Sequence, residues 1–498
     1  MTAPGPELDF NLAPEDVATL LRQPELLIPG TRKRLLPGRA VTSSLLWHDT
    51  AEGELAADGH ALAHPEGRAM PWRLERLVPA SGEFAPPGLP PRLLHESESA
   101  PEEHAASLLP VAAFDHTTRE LRPASNPPRV LLRQGALRAV AAQAALCRLS
   151  LSGEGASALA LAWGERLNLS VPTESLAAQA LRLAGRAVPQ RPLGAPKLNA
   201  EANVSDAFAA LVAHLAGVML HHAGSADGRH GPEPVHQMRV ALRRLRSAMV
   251  LFRRAVSCPT LVELKERLKL VGAVLGPARD WDVFVLGTGS KLAQAFADDA
   301  AVQSLLTAAR KRQARSYAAL ASYLAHAEWR RLGLSLTAFA VDRPWHAPSP
   351  DAREEDIAER AALLSMKVAD FADRALTRRY RALTAAGADI SGMDVSALHD
   401  LRLLCKQMRY ACEFFAPFHP GRGTRRFVKR LAELQERLGQ VNDATVAGGL
   451  MAQLGGRGSA RAQAVGIVRG FVAAHSPSER NCIERTWRKL LRLECFWD

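Results

Sequence analysis

Two stretches of this chain set basic side chains at helical spacing: VHQMRVALRRLR, beginning at Val235, and LHDLRLLCKQMRY, beginning at Leu398. At about 100° of turn per residue, His236, Arg239, Arg243 and Arg246 fall on one stripe about 80° wide. His399, Arg402, Lys406 and Arg409 repeat it in the second stretch. Apolar residues run beside each stripe: Val235, Met238, Leu242, Leu245 and Met249 in the first, and Leu398, Leu401, Cys405 and Met408 in the second. Bases that adjoin the buried face of a helix line a groove between helices, whereas bases opposite it face water. A solvated face also intersperses carboxylates, yet Asp400 is the only acid in either His-to-Arg stretch and lies off the stripe. The chemistry this allows is anion recognition. A guanidinium fork matches phosphate oxygens two at a time, and several forks in register suit a ligand carrying many phosphates. A histidine among cations is expected to have its pKa lowered by like charge and to act as a neutral donor at pH 7. The bland reading of either histidine, a satisfied side chain near a helix start, weakens because the same phase recurs in both copies.

His236 and His399 are 163 residues apart, and the same offset maps Arg243 onto Lys406, Arg246 onto Arg409 and Phe252 onto Phe415. Carried on without a gap, it maps Arg267 onto Arg430, Leu275-Gly276 onto Leu438-Gly439 and Asp280 onto Asp443. This is a duplicated helical unit. Two stripes related by a pseudo-two-fold would together line one positively charged cleft.

The elements that must hold these stripes are legible in coarse form. The length of 498 residues suggests two or three domains, and 47% apolar with 23% charged residues is an ordinary globular composition. Aromatics are scarce at 5%, so an Ala/Leu/Arg-rich chain favours helices over β-sandwiches. The net charge of +12 is uneven: residues 1–195 hold 19 basic against 21 acidic residues, and 196–498 hold 44 against 30. A half with that excess usually meets a polyanion. The step in charge coincides with a Pro-bearing linker at 188–199, which separates a domain at 1–187 from one at 200–498. Upstream, short strands and loops are expected to residue 150, then helices around 156–165 and 174–187. From Val204 onward apolar residues recur every three or four positions, with interruptions at 223–234, 342–351 and 417–424. That predicts an all-α region of two repeats, about 200–345 and 352–498. No run approaches about 18 apolar residues, so no transmembrane segment is expected. The start, MTAPGPELDF, lacks the basic and apolar pattern of a signal peptide, and the six cysteines form no CxxC pair, which together place the chain in the cytoplasm.

The paired motifs, each followed by an LG-x-x-x-D turn (LGPARD and LGQVND), closely resemble the CHAD domain, the conserved-histidine α-helical domain. The resemblance covers about residues 200–498. It implies a helical bundle of two four-helix repeats whose basic central channel binds inorganic polyphosphate, with localisation at polyphosphate granules. The binding positions it implies are His236, Arg239, Arg243, Arg246, His399, Arg402, Lys406 and Arg409, with Lys269 and the repeat-paired Arg267 and Arg430 as further candidates. Gln407 departs from the family, standing opposite Arg244 where a second base is usual. Asp280, Asp282 and Asp443 are expected to cap the next helix.

The N-terminal part resembles a CYTH domain, the triphosphate tunnel fold, an antiparallel β-barrel that hydrolyses short phosphates with Mg²⁺ or Mn²⁺. WHDTAEGELAADGHAL (47–62) is similar to that family's Tyr-Asp-Thr, Gly, Leu passage. The departures concern function. The opening Glu-x-Glu-x-Lys strand is here Glu7-Leu8-Asp9-Phe10-Asn11, Ala63-His64-Pro65 replaces expected bases, and Arg148-Leu149-Ser150-Leu151 stands where alternating glutamates should bind metal. A hard cation needs several oxygen ligands and a triphosphate several bases. The implied domain is therefore a degenerate, β-barrel-like CYTH unit, the whole chain a two-domain α+β protein, and catalysis, metal and cofactor are not expected.

Three functions compete. A non-enzymatic polyphosphate-binding protein leads, a metal-dependent inorganic triphosphatase is the alternative, and a nucleic-acid binder comes third because the stripes lack aromatics to stack on bases; Phe252 and Phe415 fall on the apolar side. The histidines at 214, 221, 222, 230 and 236 fit no regular metal-ligand spacing. The C-terminal WRKLLRLECFW reads as a helix that closes the bundle, ahead of a membrane-surface helix.

Overall fold

The structure is a computed structural model, and it describes residues 7–22, 35–66, 70–80, 82–101, 107–123, 128–347, 353–454, 459–474 and 479–497. The chain forms two compact units that interleave along the sequence: residues 1–194, 212–220 and 326–344 in one, and 195–211, 221–325 and 345–498 in the other.

The first unit is built on β1 (Leu8–Leu12), β2 (Leu35–Pro37), β3 (Val41–Asp49), β4 (His60–Pro65), β5 (Trp72–Arg76), β6 (Arg92–Ser97), β7 (Leu109–Pro123), β8 (Arg129–Ala139), β9 (Ala142–Ser152) and β10 (Leu169–Ser170). They make one antiparallel sheet in the order β10-β1-β9-β8-β7-β3-β4-β5-β6, with β2 on β7. Alternation sorts its two faces. Leu8, Phe10 and Leu12 of β1 are buried while Asp9 and Asn11 turn to the other face. With Val130, Leu132, Leu149 and Leu151 they form a core that also takes in Leu334 from the 326–344 segment. β7, β8 and β9 run 15, 11 and 11 residues, longer than the short strands expected. Alanines had blurred their alternation, and Gly135 lets β7 and β8 stay paired: a Cβ there would sit 1.9 Å from the Asp115 carbonyl oxygen.

Four helices accompany the sheet: α1 (Pro14–Arg22), α2 (Glu54–Ala57), α3 (Ala156–Gly164) and α4 (Leu176–Leu183). The last two match the expected pair. The single turn of α2 was not foreseen, and its cause lies in the buried Asp49, whose carboxylate accepts the backbone N–H groups of Thr50, Leu55 and Ala56 at 2.8, 3.0 and 3.3 Å. Trp163 of α3 packs on one face of the sheet. Ala177 and Leu181 of α4 pack with Trp47, Phe114 and Leu137 on the other.

The remaining helices are α5 (Val204–Ala223), α6 (Glu233–Leu251), α7 (Arg253–Val256), α8 (Pro259–Val283), α9 (Gly289–Ala295), α10 (Ala300–Ala325), α11 (Ala327–Asp342), α12 (Glu354–Ser365), α13 (Val368–Ala386), α14 (Val395–Phe415), α15 (Arg422–Leu454), α16 (Ser459–Ala474) and α17 (Glu479–Leu491). The expected α+β architecture with a helical C-terminal region is present, and the duplication is visible in it. α5, α6, α8 and α10 recur as α13, α14, α15 and α16, with α8 and α15 starting 163 residues apart. The core repeats as well. Phe208 and Phe252 have Phe371 and Phe415 as repeat mates, and the ring centroids of Phe252 lie 5.4 Å from Phe208, 4.8 Å from Phe371 and 6.2 Å from Phe415. These rings join the two copies.

One expectation is corrected. The LG-x-x-x-D stretches are not turns: 275–280 lies inside α8 and 438–443 inside α15. Leu275, Ala278 and Trp281 are buried, so packing carries the helix on, even through Pro277. Asp280 and Asp282 therefore cap nothing. Asp282 is buried and accepts from Gln313 Nε2 at 2.8 Å and the Tyr317 hydroxyl at 2.9 Å; the side chain of Asp443 lies outside the described residues. Helix α5 is long and apolar enough to cross a membrane by length and composition alone. Most of it is buried inside the protein, and core helices meet the same test.

Candidate functional site

Each stripe starts on a well-defined helix. Pro232 and Pro234 supply the first-turn φ of α6, and Glu233 complements its dipole. Asp394 caps α14, its carboxylate accepting from the Ala397 N–H at 2.8 Å. α6 packs on α8 and on α14, and α14 on α15. Glycines set how closely the stripe meets α8. A Cβ at Gly276 would lie 3.2 Å from Arg239 Nη1, and one at Gly272 would lie 3.8 Å from Arg246 Nη1. Both guanidinium groups thus rest along the α8 backbone.

The two copies meet at Arg243. It is half-buried, and its Nε is enclosed without a hydrogen-bond partner. Burial holds its guanidinium below the usual range, and Arg239, Arg409 and Arg402 press it further down, while Tyr410 opposes them. Cations from both α6 and α14 therefore act on one half-buried guanidinium. The Tyr410 hydroxyl is likewise enclosed without a partner. Neither Tyr410 nor Arg279, the strongest charge acting on His236, is a sequence-stripe residue; Tyr410 directly follows Arg409 in the motif and was the readable signal.

Two carboxylates temper this crowding. Asp280 pairs with Arg239 at 3.5 Å. Glu413 takes Arg244 at 2.8 Å and Arg409 at 3.5 Å, so it links the two repeats. Glu413 escaped the sequence reading although it stands four residues after Arg409 and so on the same helix face. Gln407, the departure noted above, accepts from Arg379 of α13, so a guanidinium reaches this position from another helix.

His236 is half-buried, and its pKa is lowered first by burial and then by Arg279, with Arg243 and Arg239 adding to it. The direction matches the expectation, but burial outweighs like charge. Because the folded value lies below 6.5, the unfolded chain binds more protons in the window just under 6.5, and stability falls as pH drops through it. His236→Gln should flatten that part of the stability–pH curve measured by denaturant titration, and the His236 ring should titrate below 6.5 by NMR.

The other candidates sit as follows. His399 is exposed near the start of α14, Lys406 is half-buried on the same stripe, and Arg246 is exposed. Lys269 is exposed, shares the α8 face of Gly272 and Gly276, and pairs with Glu266 at 3.5 Å. Arg267 lies about 140° away from Gly272 around α8, outside the stripe's face, and Arg430 holds the equivalent place on α15, pairing with Glu433.

The interior of the sheet unit is a second polar place. Glu75 of β5 has its pKa raised first by burial, with Asp9 and Glu7 of β1 adding to the rise and Arg73 opposing it. These strands are not neighbours in the sheet, so its curvature brings them face to face. The Ser150 hydroxyl donates to Asp9 and receives Arg133 at 2.8 Å. Arg148 is only 2% exposed, and Asp9 supports its charge against burial. Among the described residues no group of three or more His, Cys, Asp or Glu side chains could hold a metal ion.

A family model for the CHAD domain matches residues 202–452. The crystal structure of the CHAD domain from the plant Ricinus communis is similar at 30% identity and a TM-score of 0.52, covering 62% of this chain and 98% of that one. PptA from Streptomyces chartreusis is similar at 17% identity and a TM-score of 0.41, over 58% of this chain and 100% of its own. No curated protein matches.

Proposed function

This chain belongs to the CHAD domain family, and from that premise we propose that the stripes of α6 and α14 bind inorganic polyphosphate along a basic channel in the cytoplasm. The observation that carries the reading is the convergence of Arg239, Arg402 and Arg409 on the half-buried Arg243. Such crowding costs stability in the free protein, and a polyanion lying among the cations relieves it. Arg243 Nε offers a ready donor. Asp280 and Glu413 hold two of the arginines until the polymer displaces them. Phe252, Tyr410, Phe414 and Phe415, the aromatics nearest the stripes in sequence, are buried and present no face on which bases could stack, which favours a phosphate chain over a nucleic acid.

The test is a titration of the full chain with long-chain polyphosphate, triphosphate and single-stranded DNA at matched phosphate concentration. Long chains should bind tightest, because more of the channel is engaged at once. With about six phosphate contacts, the log–log salt slope should be near −4 by analogy with single strands. A flat salt response, or orthophosphate binding as well as the polymer, overturns the reading.

In the same reading the sheet unit is a non-catalytic accessory. Phosphoryl transfer needs charge on the transferring oxygens neutralised, normally by metal ions and bases. Here Asp9 is engaged by Ser150, and the buried Arg148 would repel an incoming cation. Purified protein should release negligible orthophosphate from triphosphate with Mg²⁺ or Mn²⁺. Robust turnover that Glu7→Ala with Asp9→Ala abolishes would make the triphosphatase alternative the better one.

A further inference from the structure

We propose that Arg253, Arg254, Lys265 and Arg378 form a further phosphate-binding subsite, which continues the α6 stripe beyond Arg246; it rests on the polyphosphate reading above. Along the α6–α8 contact, Arg239 lies beside Gly276 and Arg246 beside Gly272, so the stripe advances toward the start of α8 as it runs toward the end of α6. Continuing that way, Lys265 stands seven residues before Gly272 on the same face of α8, and Arg253 stands seven residues after Arg246 at the start of α7. Lys265 has its pKa lowered first by burial and then by Arg253, which agrees with their being neighbours.

The patch reaches α13 as well. Phe252, immediately before Arg253, stacks on Phe371 at 4.8 Å, and Arg378 lies seven residues on, on the same side of α13. Arg378 is depressed by burial and then by Arg254. Arg253, Arg254 and Arg378 are exposed and Lys265 is half-buried. None of the four makes an ion pair among the described residues, in contrast to Arg239 and Arg409, which are held by carboxylates.

The repeat shows that this patch is an addition to the duplicated site. The 163-residue offset maps Arg253, Arg254 and Lys265 onto Ala416, Pro417 and Val428, and maps Arg378 back onto Leu215. These four cations are therefore not duplicated at the matching positions of the second copy, where the start of α15 carries exposed bases of its own, Arg422, Arg425, Arg426 and Lys429. From Arg239 to Arg253 the track is about 20 Å long at helical rise, which a long phosphate chain spans and a triphosphate does not. The subsite rewards length.

The experiment compares the parent, Arg254→Glu with Arg378→Glu, and the charge-neutral Arg254→Gln with Arg378→Gln, each titrated with triphosphate and with a long polyphosphate fraction. Long-chain affinity should fall about tenfold in the Glu pair and less in the Gln pair, with a salt slope smaller by about one to two. Triphosphate affinity should stay within about twofold of the parent. The Gln pair reads the same effect should the Glu pair fold poorly. Unchanged long-chain binding overturns the subsite, as does an equal loss for both ligands, which would place these residues in the cleft itself. A parent that binds neither ligand overturns the polyphosphate reading first, and the subsite with it.

Discussion

Arg402→Glu and Arg239→Glu are each expected to weaken long-chain polyphosphate binding by about 30- to 100-fold. Each change removes a cation and sets an anion in its place. At an effective dielectric near 20, one unit charge about 4 Å from a phosphate is worth about 4 kcal/mol; partial exposure and salt reduce this to about 2–3 kcal/mol. The two residues come from different repeats and both act on Arg243, so both should matter. Arg402→Glu should leave the thermal midpoint of the free protein unchanged or raised, because it relieves repulsion among crowded cations. Arg239→Glu faces Asp280 at the position of a 3.5 Å ion pair, and Arg239→Gln controls for that new repulsion. Calorimetric titration gives the affinities, and circular dichroism gives the midpoints. If either variant, folded, binds like the parent, the two stripes do not share one site.

The largest effect on stability should come from Phe252→Ala. The ring is fully buried and touches Phe208, Phe371 and Phe415, one from its own repeat and two from the other. Truncating a buried Phe costs about 3–5 kcal/mol through lost burial and the cavity left behind. In a unit of this size that corresponds to a drop on the order of 10 °C in the transition of the helical unit. Phe415→Ala should behave alike, and the double variant should lose less than the sum, since the rings touch and their contact can be lost only once. Strictly additive losses would mean that the rings pack independently and that the repeats are held together elsewhere.

Much of the helical unit was legible in its sequence for a local reason. A helix face repeats every 3.6 residues, so the phase of His236, Arg239, Arg243 and Arg246 against Met238, Leu242 and Leu245 marks the helix and the side of it that carries charge. Duplication then turned one stripe into two without any tertiary information. The first domain was legible as strands, with antiparallel pairing implied only by the CYTH resemblance, and the alanines of β8 and β9 hid their length, since alanine satisfies either face of a strand.

What the sequence could not decide depends on contacts between distant residues. Arg244 and Glu413 are 169 positions apart, and only the packing of α6 on α14 makes them a pair. Arg243 became the meeting point of both copies because its neighbours enclose it, and burial is a property of what covers a side chain. The LG-x-x-x-D stretches looked like turns because Gly, Pro and Asp break isolated helices, yet burial of Leu275, Ala278 and Trp281 outweighs a propensity cost of about 1 kcal/mol for Gly and about 3 for Pro. The face-to-face placement of Glu75 with Asp9 likewise follows from the curvature of the sheet. Local periodicity determined which residues share a face, and long-range packing decided which faces meet.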